Sequence, residues 1–292
     1  MFEGVYVAVV TPFAKSGEVD VDSLRAHVDW LIREGVHGLV PAGTCGEYAS
    51  LSDGERAAVV EAVLAEAKGR VPVVVGVAAT TTAQVVRWAE HARDHGAQAV
   101  MALPPIQYRP TWAEVVAHYR AIDAVGLPIV IYNNPFDTST DVTAERVREL
   151  EGVARIAAVK EFSGDVRRVT ELIQTCRASV LAGADDLVLE SMFAGAVGWI
   201  AGMANIVPAA SVALYEAART RDYERAWALY RRMLPLLRYD TTPRLVQAIK
   251  YGLAAVGRPV GDTRPPRLPL EEADRRRIDA VLADLASLAP TA

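Results

Sequence analysis

The chain has 292 residues, of which 51% are hydrophobic and 23% are charged, an ordinary composition for a globular protein with a large core. Its net charge of −5 is spread over 36 acidic and 31 basic side chains without a basic block, so we expect no nucleic-acid partner. Two cysteines, Cys45 and Cys176, offer no disulfide framework, and no stretch reaches the ~18 apolar residues that a membrane span needs. We therefore expect a cytoplasmic protein with no membrane partner.

Short β-branched runs alternate with longer amphipathic stretches over the first 222 residues, a pattern typical of parallel strands joined by crossover helices. Eight strands are predicted, at residues 6–10, 38–41, 73–77, 99–103, 129–132, 156–160, 180–182 and 197–201. Helices are predicted at residues 22–34, 53–68, 83–95, 112–125, 144–150, 166–176 and 186–194, and an eighth begins after Pro208. Eight such units predict an α/β protein, a (β/α)8 TIM barrel over residues 1–222.

Beyond the barrel the pattern changes, because three helices are predicted with no strand between them. They cover residues 223–237, 242–256 and 271–288. A segment rich in proline and glycine, residues 257–269, links the last two. We therefore expect a C-terminal helical subdomain over residues 223–292.

One lysine stands out, because the 31 basic residues include only four lysines. Lys160 ends the apolar run of the sixth predicted strand, at the end of a barrel where active sites are built. Desolvation in such a position lowers the pKa of an ammonium group and yields a nucleophilic amine, which imine formation with a carbonyl substrate requires. The alternative is a lysine that pairs with Glu161 or reaches water at the barrel rim.

Other polar and glycine residues also follow predicted strands. The turn Gly43-Thr44-Cys45-Gly46-Glu47 offers backbone N–H groups and a hydroxyl that can bind a carboxylate. The alternative is that this turn only connects two elements and binds nothing, as glycine turns after barrel strands usually do. Tyr132 ends the fifth strand, where its phenol can move a proton at an imine or simply pack as an amphipathic side chain. Both features predict a site at the carboxyl ends of the strands.

Taken together, these positions resemble the dihydrodipicolinate synthase and N-acetylneuraminate lyase family over nearly the whole chain. The matching positions are, in chain order, Thr11-Pro12-Phe13, Gly43-Thr44 with Gly46-Glu47, Tyr132-Asn133 with Pro135, Val159-Lys160-Glu161 with Ser163-Gly164-Asp165, Gly183 with Asp185-Asp186, and Gly195, Gly198 and Asn205. The resemblance implies that Lys160 forms an imine with pyruvate or another 2-oxo acid, that Tyr132 transfers protons, and that the turn with Thr44 holds the carboxylate.

The resemblance also implies a homo-oligomer, a tetramer or a dimer, and a reaction that needs no cofactor. Around the catalytic pair Lys160 and Tyr132 we expect a substrate site at the strand ends. Its expected members are Thr11, Gly43, Thr44, Cys45, Gly46, Glu47, Tyr108, Asn134, Asp137, Gly183 and Ile200.

The chain departs from the pattern of the family's lysine-pathway synthase at three places, the first of which is Cys45, where the turn of that synthase has a second threonine. Where that synthase has an arginine for the carboxylate of its second substrate, this chain has Asp137, which repels a dicarboxylate. The tyrosine of the synthase's proton relay corresponds to Gln107, so either Tyr108 replaces it or the relay is absent. Asp137 and Asn134 suit a hydroxylated substrate tail, unless Asp137 is only a solvated loop residue.

We expect no metal site. His91 and His95 have i, i+4 spacing on a predicted helix, but no acidic third ligand is apparent and the helix lies outside the barrel.

Three functions remain open from the sequence. The first is a Schiff-base lyase acting on pyruvate or a small 2-oxo acid, by aldol cleavage or condensation or by dehydration of a 3-deoxy-2-oxo sugar acid or a related hydroxy-oxo acid. Within that chemistry, the alternative is 4-hydroxy-tetrahydrodipicolinate synthase, which joins pyruvate to aspartate semialdehyde. The second function is a 2-oxo acid binding protein with weakened catalysis, since Cys45 and Gln107 weaken the relay. The third is a metal-dependent or phosphate-binding barrel enzyme.

Overall fold

The computed structural model describes residues 2–287 and contains eight parallel strands in a nearly closed barrel. The strands are β1 (Gly4–Ala8), β2 (Gly38–Val40), β3 (Val74–Gly76), β4 (Ala99–Ala102), β5 (Ile129–Asn133), β6 (Ile156–Glu161), β7 (Ser179–Ala182) and β8 (Gly198–Ala201). They are hydrogen-bonded in the order β2-β1-β8-β7-β6-β5-β4-β3, and a single bridge between Leu39 and Val73 joins β2 to β3. The predicted TIM barrel is confirmed.

Helices follow the strands and cover the outside of the barrel. They are α1 (Val21–Arg33), α2 (Asp53–Ala67), α3 (Thr82–Asp94), α4 (Trp112–Asp123), α5 (Pro135–Thr138), α6 (Ala144–Glu151), α7 (Arg167–Thr175), α8 (Val188–Phe193) and α9 (Pro208–Arg219). Three begin with a reciprocal capping box, at Ser52, Thr81 and Thr111, which satisfies two N–H groups that the helix leaves unpaired. The strands are almost wholly buried, as expected for a parallel sheet covered on both faces.

Strand β1 and helix α5 differ from the prediction for physical reasons. Strand β1 was expected at residues 6–10 but ends at Ala8, because the Asn205 side chain accepts the N–H of Val10 at 3.2 Å and so leaves the ladder one donor short. The short helix α5 was not predicted. It forms because Asn134 caps it and Pro135 occupies its first turn, where a missing N–H costs nothing.

The C-terminal helices are α10 (Tyr223–Leu237), α11 (Leu245–Ala255) and α12 (Glu272–Ala286). Helix α11 starts three residues later than predicted, because a 3-10 turn (Arg238–Thr241) and an extended Thr242 precede it. The final residue of the predicted last helix, residue 288, lies outside the described residues. Apolar side chains of α10 and α11 join the barrel's hydrophobic core, so the division of the chain at residue 222 stays a prediction.

No helix between residues 2 and 287 is long and apolar enough to cross a bilayer.

Candidate active site

A cavity of about 730 Å³ opens at the carboxyl ends of the strands. Its floor comes from barrel strands and the turns after them, and its roof from the segment between α10 and α11. The residues that line it are Ala8, Gly43, Thr44, Cys45, Met101, Tyr132, Asn134, Phe136, Asp137, Lys160, Phe162, Gly164, Ala184, Asp186, Leu187, Gly202, Asp240, Thr241, Thr242, Pro243, Leu245, Val246 and Arg267. Such a position is where barrel enzymes place their active sites.

Lys160 and Tyr132 lie side by side at the bottom of this cavity. They are register partners on β6 and β5, so their side chains project from the same face of the sheet. Lys160 Nζ lies 4.1 Å from the centroid of the Tyr132 ring, and Lys160 is only 7% exposed. A primary amine and a phenol thus meet in one desolvated space.

The alternative pairing of Lys160 with Glu161 does not occur in the described structure. Neighbouring residues of a strand point to opposite faces, so Glu161 faces away from Lys160. The Glu161 carboxylate accepts hydrogen bonds from the Asn133 side chain at 3.0 Å and from the Ser163 N–H at 2.6 Å. Glu161 therefore does not pair with the Lys160 amine, which stays in the cavity.

The pKa of Lys160 is raised, whereas the sequence led us to expect a lowered pKa. Burial is the largest single influence and lowers the pKa of Lys160, but nearby Tyr132, Asp240, Cys45 and Asp185 together raise it above the usual lysine value. Burial raises the pKa of both the Tyr132 phenol and the Cys45 thiol, so these two groups are neutral near pH 7. Near pH 7 the negative charge close to the Lys160 ammonium therefore comes mainly from carboxylates. An ammonium group has no lone pair, so Lys160 must lose a proton before it can attack a carbonyl.

Those carboxylates form a buried pair, with Asp240 in the roof of the cavity and Asp185 behind the cavity wall, after β7. The Asp240 carboxylate accepts the N–H of Asp185 at 3.0 Å, and burial raises the pKa of Asp240 to about 6. The Asp185 carboxylate accepts from the Trp199 indole at 2.9 Å and from the N–H of Met203 at 2.7 Å, while burial and the charge of Asp240 raise its pKa well above the usual value. Near neutral pH, Asp240 is therefore the carboxylate available to balance the Lys160 ammonium.

The phenol of Tyr132 is oriented by the loop that follows β5. The Asn134 amide donates to the Tyr132 oxygen at 3.2 Å and to the Asp137 carboxylate at 2.7 Å. Because the phenol oxygen accepts this bond, its own hydrogen is left to point elsewhere in the cavity. Asp137 lines the cavity mouth but is exposed, and one of its oxygens is already taken by Asn134.

The turn after β2 presents a polar edge to the cavity. Thr44 and Cys45 line the cavity, and neither of their N–H groups donates to a backbone carbonyl within the described part of the chain. The Thr11 hydroxyl donates to the Gly46 carbonyl at 2.7 Å from below and so fixes the turn. This arrangement leaves a hydroxyl and N–H donors for a carboxylate.

Glu47 ends the same turn and braces it against α11 and the segment that follows α11. Its side chain is fully buried and sits 2.9 Å from Lys250 Nζ, which is 3% exposed. The other carboxylate oxygen accepts the Arg264 N–H at 3.1 Å and lies 3.4 Å from the Arg267 guanidinium. The Glu47 carboxylate is thus directed into the protein, away from the main cavity.

The expected site residues fall into two groups. Lys160, Tyr132, Gly43, Thr44, Cys45, Asn134 and Asp137 line the cavity together. Thr11, Gly46, Glu47, Gly183, Ile200 and Tyr108 do not line it within one chain. Gly183 instead allows close strand contact, because a Cβ there would lie 2.4 Å from the Glu161 carbonyl oxygen. Tyr108 is 86% exposed, so it completes no proton relay inside a single described chain.

Two charged residues of the cavity were not anticipated. Asp240 comes from the turn between α10 and α11, and Arg267 from the segment before α12. Arg267 and Lys160 are the two cationic side chains among the described residues that line the cavity. Both new residues follow α10, beyond the last strand of the barrel, so no strand-end pattern could point to them.

Comparison with known proteins places this architecture in a family. Residues 1–285 match the model of the dihydrodipicolinate synthetase family. The chain is 40% identical over 289 residues to a 4-hydroxy-tetrahydrodipicolinate synthase of Thermomicrobium roseum, covering 97% of this chain and 94% of that protein. It is 36% identical over 284 residues to the synthase of that name from Methanospirillum hungatei, covering 94% and 96%.

Solved structures agree over the same length. A putative dihydrodipicolinate synthetase from Pseudomonas aeruginosa superposes with a TM-score of 0.94 at 37% identity, over 98% of this chain and all of that one. YagE, a prophage protein from E. coli K12 crystallised in complex with pyruvate, has a TM-score of 0.92 at 28% identity, over 98% of this chain and 99% of that one. The chain belongs to the dihydrodipicolinate synthetase family and is a lyase of the pyruvate-dependent aldolase class.

Proposed function

We propose that Lys160 forms an imine with pyruvate or the 2-oxo group of a small acid, and that Tyr132 moves the protons of the reaction. The observation that carries this proposal is the Lys160 amine 4.1 Å from the Tyr132 ring on the floor of a 730 Å³ cavity. The pyruvate bound in the related YagE structure supports the same kind of substrate here.

In the proposed cycle, the neutral amine of Lys160 attacks the C2 carbonyl, and the carbinolamine loses water to give an iminium ion. The proton lost by the ammonium passes to Asp240, the carboxylate that balances it at rest, and Asp240 returns it to the carbinolamine hydroxyl, which leaves as water. In aldol cleavage the C3–C4 bond breaks, its electron pair moves into the iminium to form an enamine, and the C4 hydroxyl gives up its proton as the aldehyde forms. Tyr132 accepts and returns protons at these atoms because its phenol hydrogen is free to point into the cavity.

The carboxylate of the oxo acid binds at the turn after β2. The Thr44 hydroxyl has no hydrogen-bond partner within residues 2–287, and the neighbouring N–H groups are free of backbone acceptors. Anchoring the carboxylate there directs C2 toward Lys160, which lies in the same cavity. Orientation of this kind accounts for a large part of catalysis by imine enzymes.

For the remainder of the substrate we propose a hydroxylated tail, as in a 3-deoxy-2-oxo sugar acid or a related hydroxy-oxo acid. The side of the cavity that faces Tyr132 carries Asn134 and Asp137, which exchange hydrogen bonds with hydroxyl groups. A carboxylate beside Asp137 is disfavoured by like charge. Either aldol cleavage or loss of water from such an acid fits this environment.

A second candidate is 4-hydroxy-tetrahydrodipicolinate synthase. It is favoured by the name shared by relatives at 34–40% identity. Arg267 also supports it, because a guanidinium at the cavity wall can hold the carboxylate of aspartate semialdehyde that Asp137 would repel. If the tail carries hydroxyl groups, we expect it to bind beside Asp137. If it carries a carboxylate, as aspartate semialdehyde does, we expect it to bind beside Arg267.

Turnover of a defined panel tests the proposal. The panel contains 3-deoxy-2-oxo sugar acids, N-acetylneuraminate, hydroxyoxoglutarate, and pyruvate with aspartate semialdehyde, and Lys160→Arg serves as the inactive control. We expect a sugar acid or hydroxy-oxo acid to give the highest kcat/KM, and Asp137→Arg to lower it. Faster condensation with aspartate semialdehyde, abolished by Arg267→Gln, would establish the second candidate instead.

We also propose that the chain works as a homo-oligomer. Tyr108 supports this, because it stands 86% exposed with a backbone φ of 66°, a costly conformation for a bulky residue that projects from one chain alone. A second copy could bury this side chain. Sedimentation of the wild type and of Tyr108→Ser tests the proposal, which fails if the wild type is a monomer at micromolar concentration.

A further inference from the structure

Three potential metal ligands meet on the outer face of the barrel, far from the strand ends. His91 lies in the last turn of α3, His95 caps the end of that helix, and Glu61 approaches them from α2. The Glu61 Oε1 atom lies 3.5 Å from His91 Nε2 and 3.6 Å from His95 Nε2, and the three ligand atoms all fall within 4.8 Å of one another. The fold thus supplies the acidic third ligand that was not apparent beside the histidine pair in the sequence.

The hydrogen bonds of both rings leave their Nε2 atoms as acceptors. His95 Nδ1 lies 2.8 Å from the His91 carbonyl oxygen, a contact that requires a hydrogen on Nδ1. His91 bonds the backbone of Ala57, and because its buried Nε2 has no hydrogen-bond partner, the nitrogen engaged is Nδ1. In metal sites the same second-shell bond fixes the tautomer of a ligating histidine.

Three acceptors therefore face one another with no donor between them. Two imidazole lone pairs and a carboxylate oxygen repel one another unless a cation or a donor such as water lies between them. A proton on one ring can bridge only one pair of atoms. A cation at the centre satisfies all three at once.

The spacing of Glu61 from the two histidines matches two edges of a tetrahedral site. Ligands about 2.1 Å from a central zinc lie about 3.4 Å from one another along a tetrahedral edge. The two measured nitrogen–oxygen distances, 3.5 and 3.6 Å, are within a few tenths of an ångström of that edge. Two imidazoles and one carboxylate select a borderline transition ion over magnesium or calcium, which prefer oxygen ligands.

We propose that Glu61, His91 and His95 bind a divalent transition-metal ion such as Zn²⁺, with water at the fourth position, and that this ion clamps α2 to α3. The site lies outside the catalytic cavity, and none of its residues lines that cavity. Its role is structural, since it cross-links two outer helices of the barrel.

The test begins with the full chain freed of metal by EDTA and dialysed. Isothermal titration with ZnCl₂ should give one strong site per chain, and zinc at about 100 times its Kd should raise the Tm by several degrees. Co²⁺ bound in place of Zn²⁺ should give the intense visible absorption of a tetrahedral ion. His95→Gln and Glu61→Gln should lose this binding and the Tm shift, while their lyase activity stays at the wild-type level.

Glu90→Gln is the matched control, because it removes one carboxylate from the same exposed helix without touching the three ligands. It should bind zinc as the wild type does. The proposal is overturned if the wild type binds no zinc, or if His95→Gln and Glu61→Gln bind zinc as tightly as Glu90→Gln does. Zinc held in those variants would belong to another site, such as one at Cys45 or Cys176.

Discussion

Replacing Glu47 by glutamine should destabilise the protein strongly, although Glu47 does not line the main cavity. The change leaves the Lys250 ammonium, 3% exposed, without the carboxylate that lies 2.9 Å away, so that its remaining polar partner is the Asp262 carbonyl at 3.0 Å. Removing one partner of a buried ion pair costs about 3–5 kcal/mol, because the other charge stays desolvated and uncompensated. For a chain of this size, the loss corresponds to roughly 6 °C or more in Tm.

Urea or thermal unfolding of Glu47→Gln measures this loss, with Glu272→Gln as the matched control. Glu272 pairs with Arg276 at 3.3 Å, but both side chains are about two-thirds exposed, so that substitution should cost no more than about 1 kcal/mol. The double variant Glu47→Gln/Lys250→Met should recover part of the loss, because the unpaired ammonium is removed with it. If Glu47→Gln and Glu272→Gln lowered the free energy of unfolding equally, the buried ion pair of Glu47 with Lys250 would not have the importance argued here.

Three further predictions concern the cavity. Tyr132→Phe should lower kcat about 10²–10⁴-fold, as loss of a general acid–base does, while pyruvate still forms its adduct with Lys160; loss of both together would contradict a proton-transfer role. Asp240→Asn should shift adduct formation to lower pH, because burial then lowers the Lys160 pKa without an opposing carboxylate; Asp186→Asn is the control, and an unshifted profile would count against the charge pairing. Since the folded-state pKa of Asp240 is about 6 and its ordinary value is 3.8, the folded chain holds a proton between these values that the unfolded chain has lost. Stability from this group therefore falls as pH rises through that window, and Asp240→Asn should flatten the measured free energy of unfolding there.

The barrel and the proximity of Lys160 to Tyr132 were accessible from the sequence because their signals are local. Strand and helix periodicities repeat eight times, and Lys160 ends an apolar run, so its position at a strand end follows directly. Tyr132 ends the neighbouring strand, and parallel pairing in register then brings the two side chains together. Both inferences need only the strand pattern and the topology rule for barrels.

Other features depend on contacts between distant segments. Asp240 and Arg267 reach the cavity because the C-terminal helices fold back over the strand ends, and no periodicity in those helices marks the two residues. Burial lowers the pKa of Lys160, and Tyr132, Asp240, Cys45 and Asp185 together raise it; the influence of Asp240 depends on the same fold-back of the C-terminal helices. Glu61 joins His91 and His95 only when α2 and α3 pack side by side.

Trapping of the imine tests the central claim most directly. The protein is incubated with pyruvate and borohydride, and its intact mass and peptide map are measured. We predict a single stable adduct per chain, located on Lys160 and absent from Lys160→Arg. An unmodified folded protein, or an adduct on Lys15, Lys68 or Lys250 instead, would contradict it.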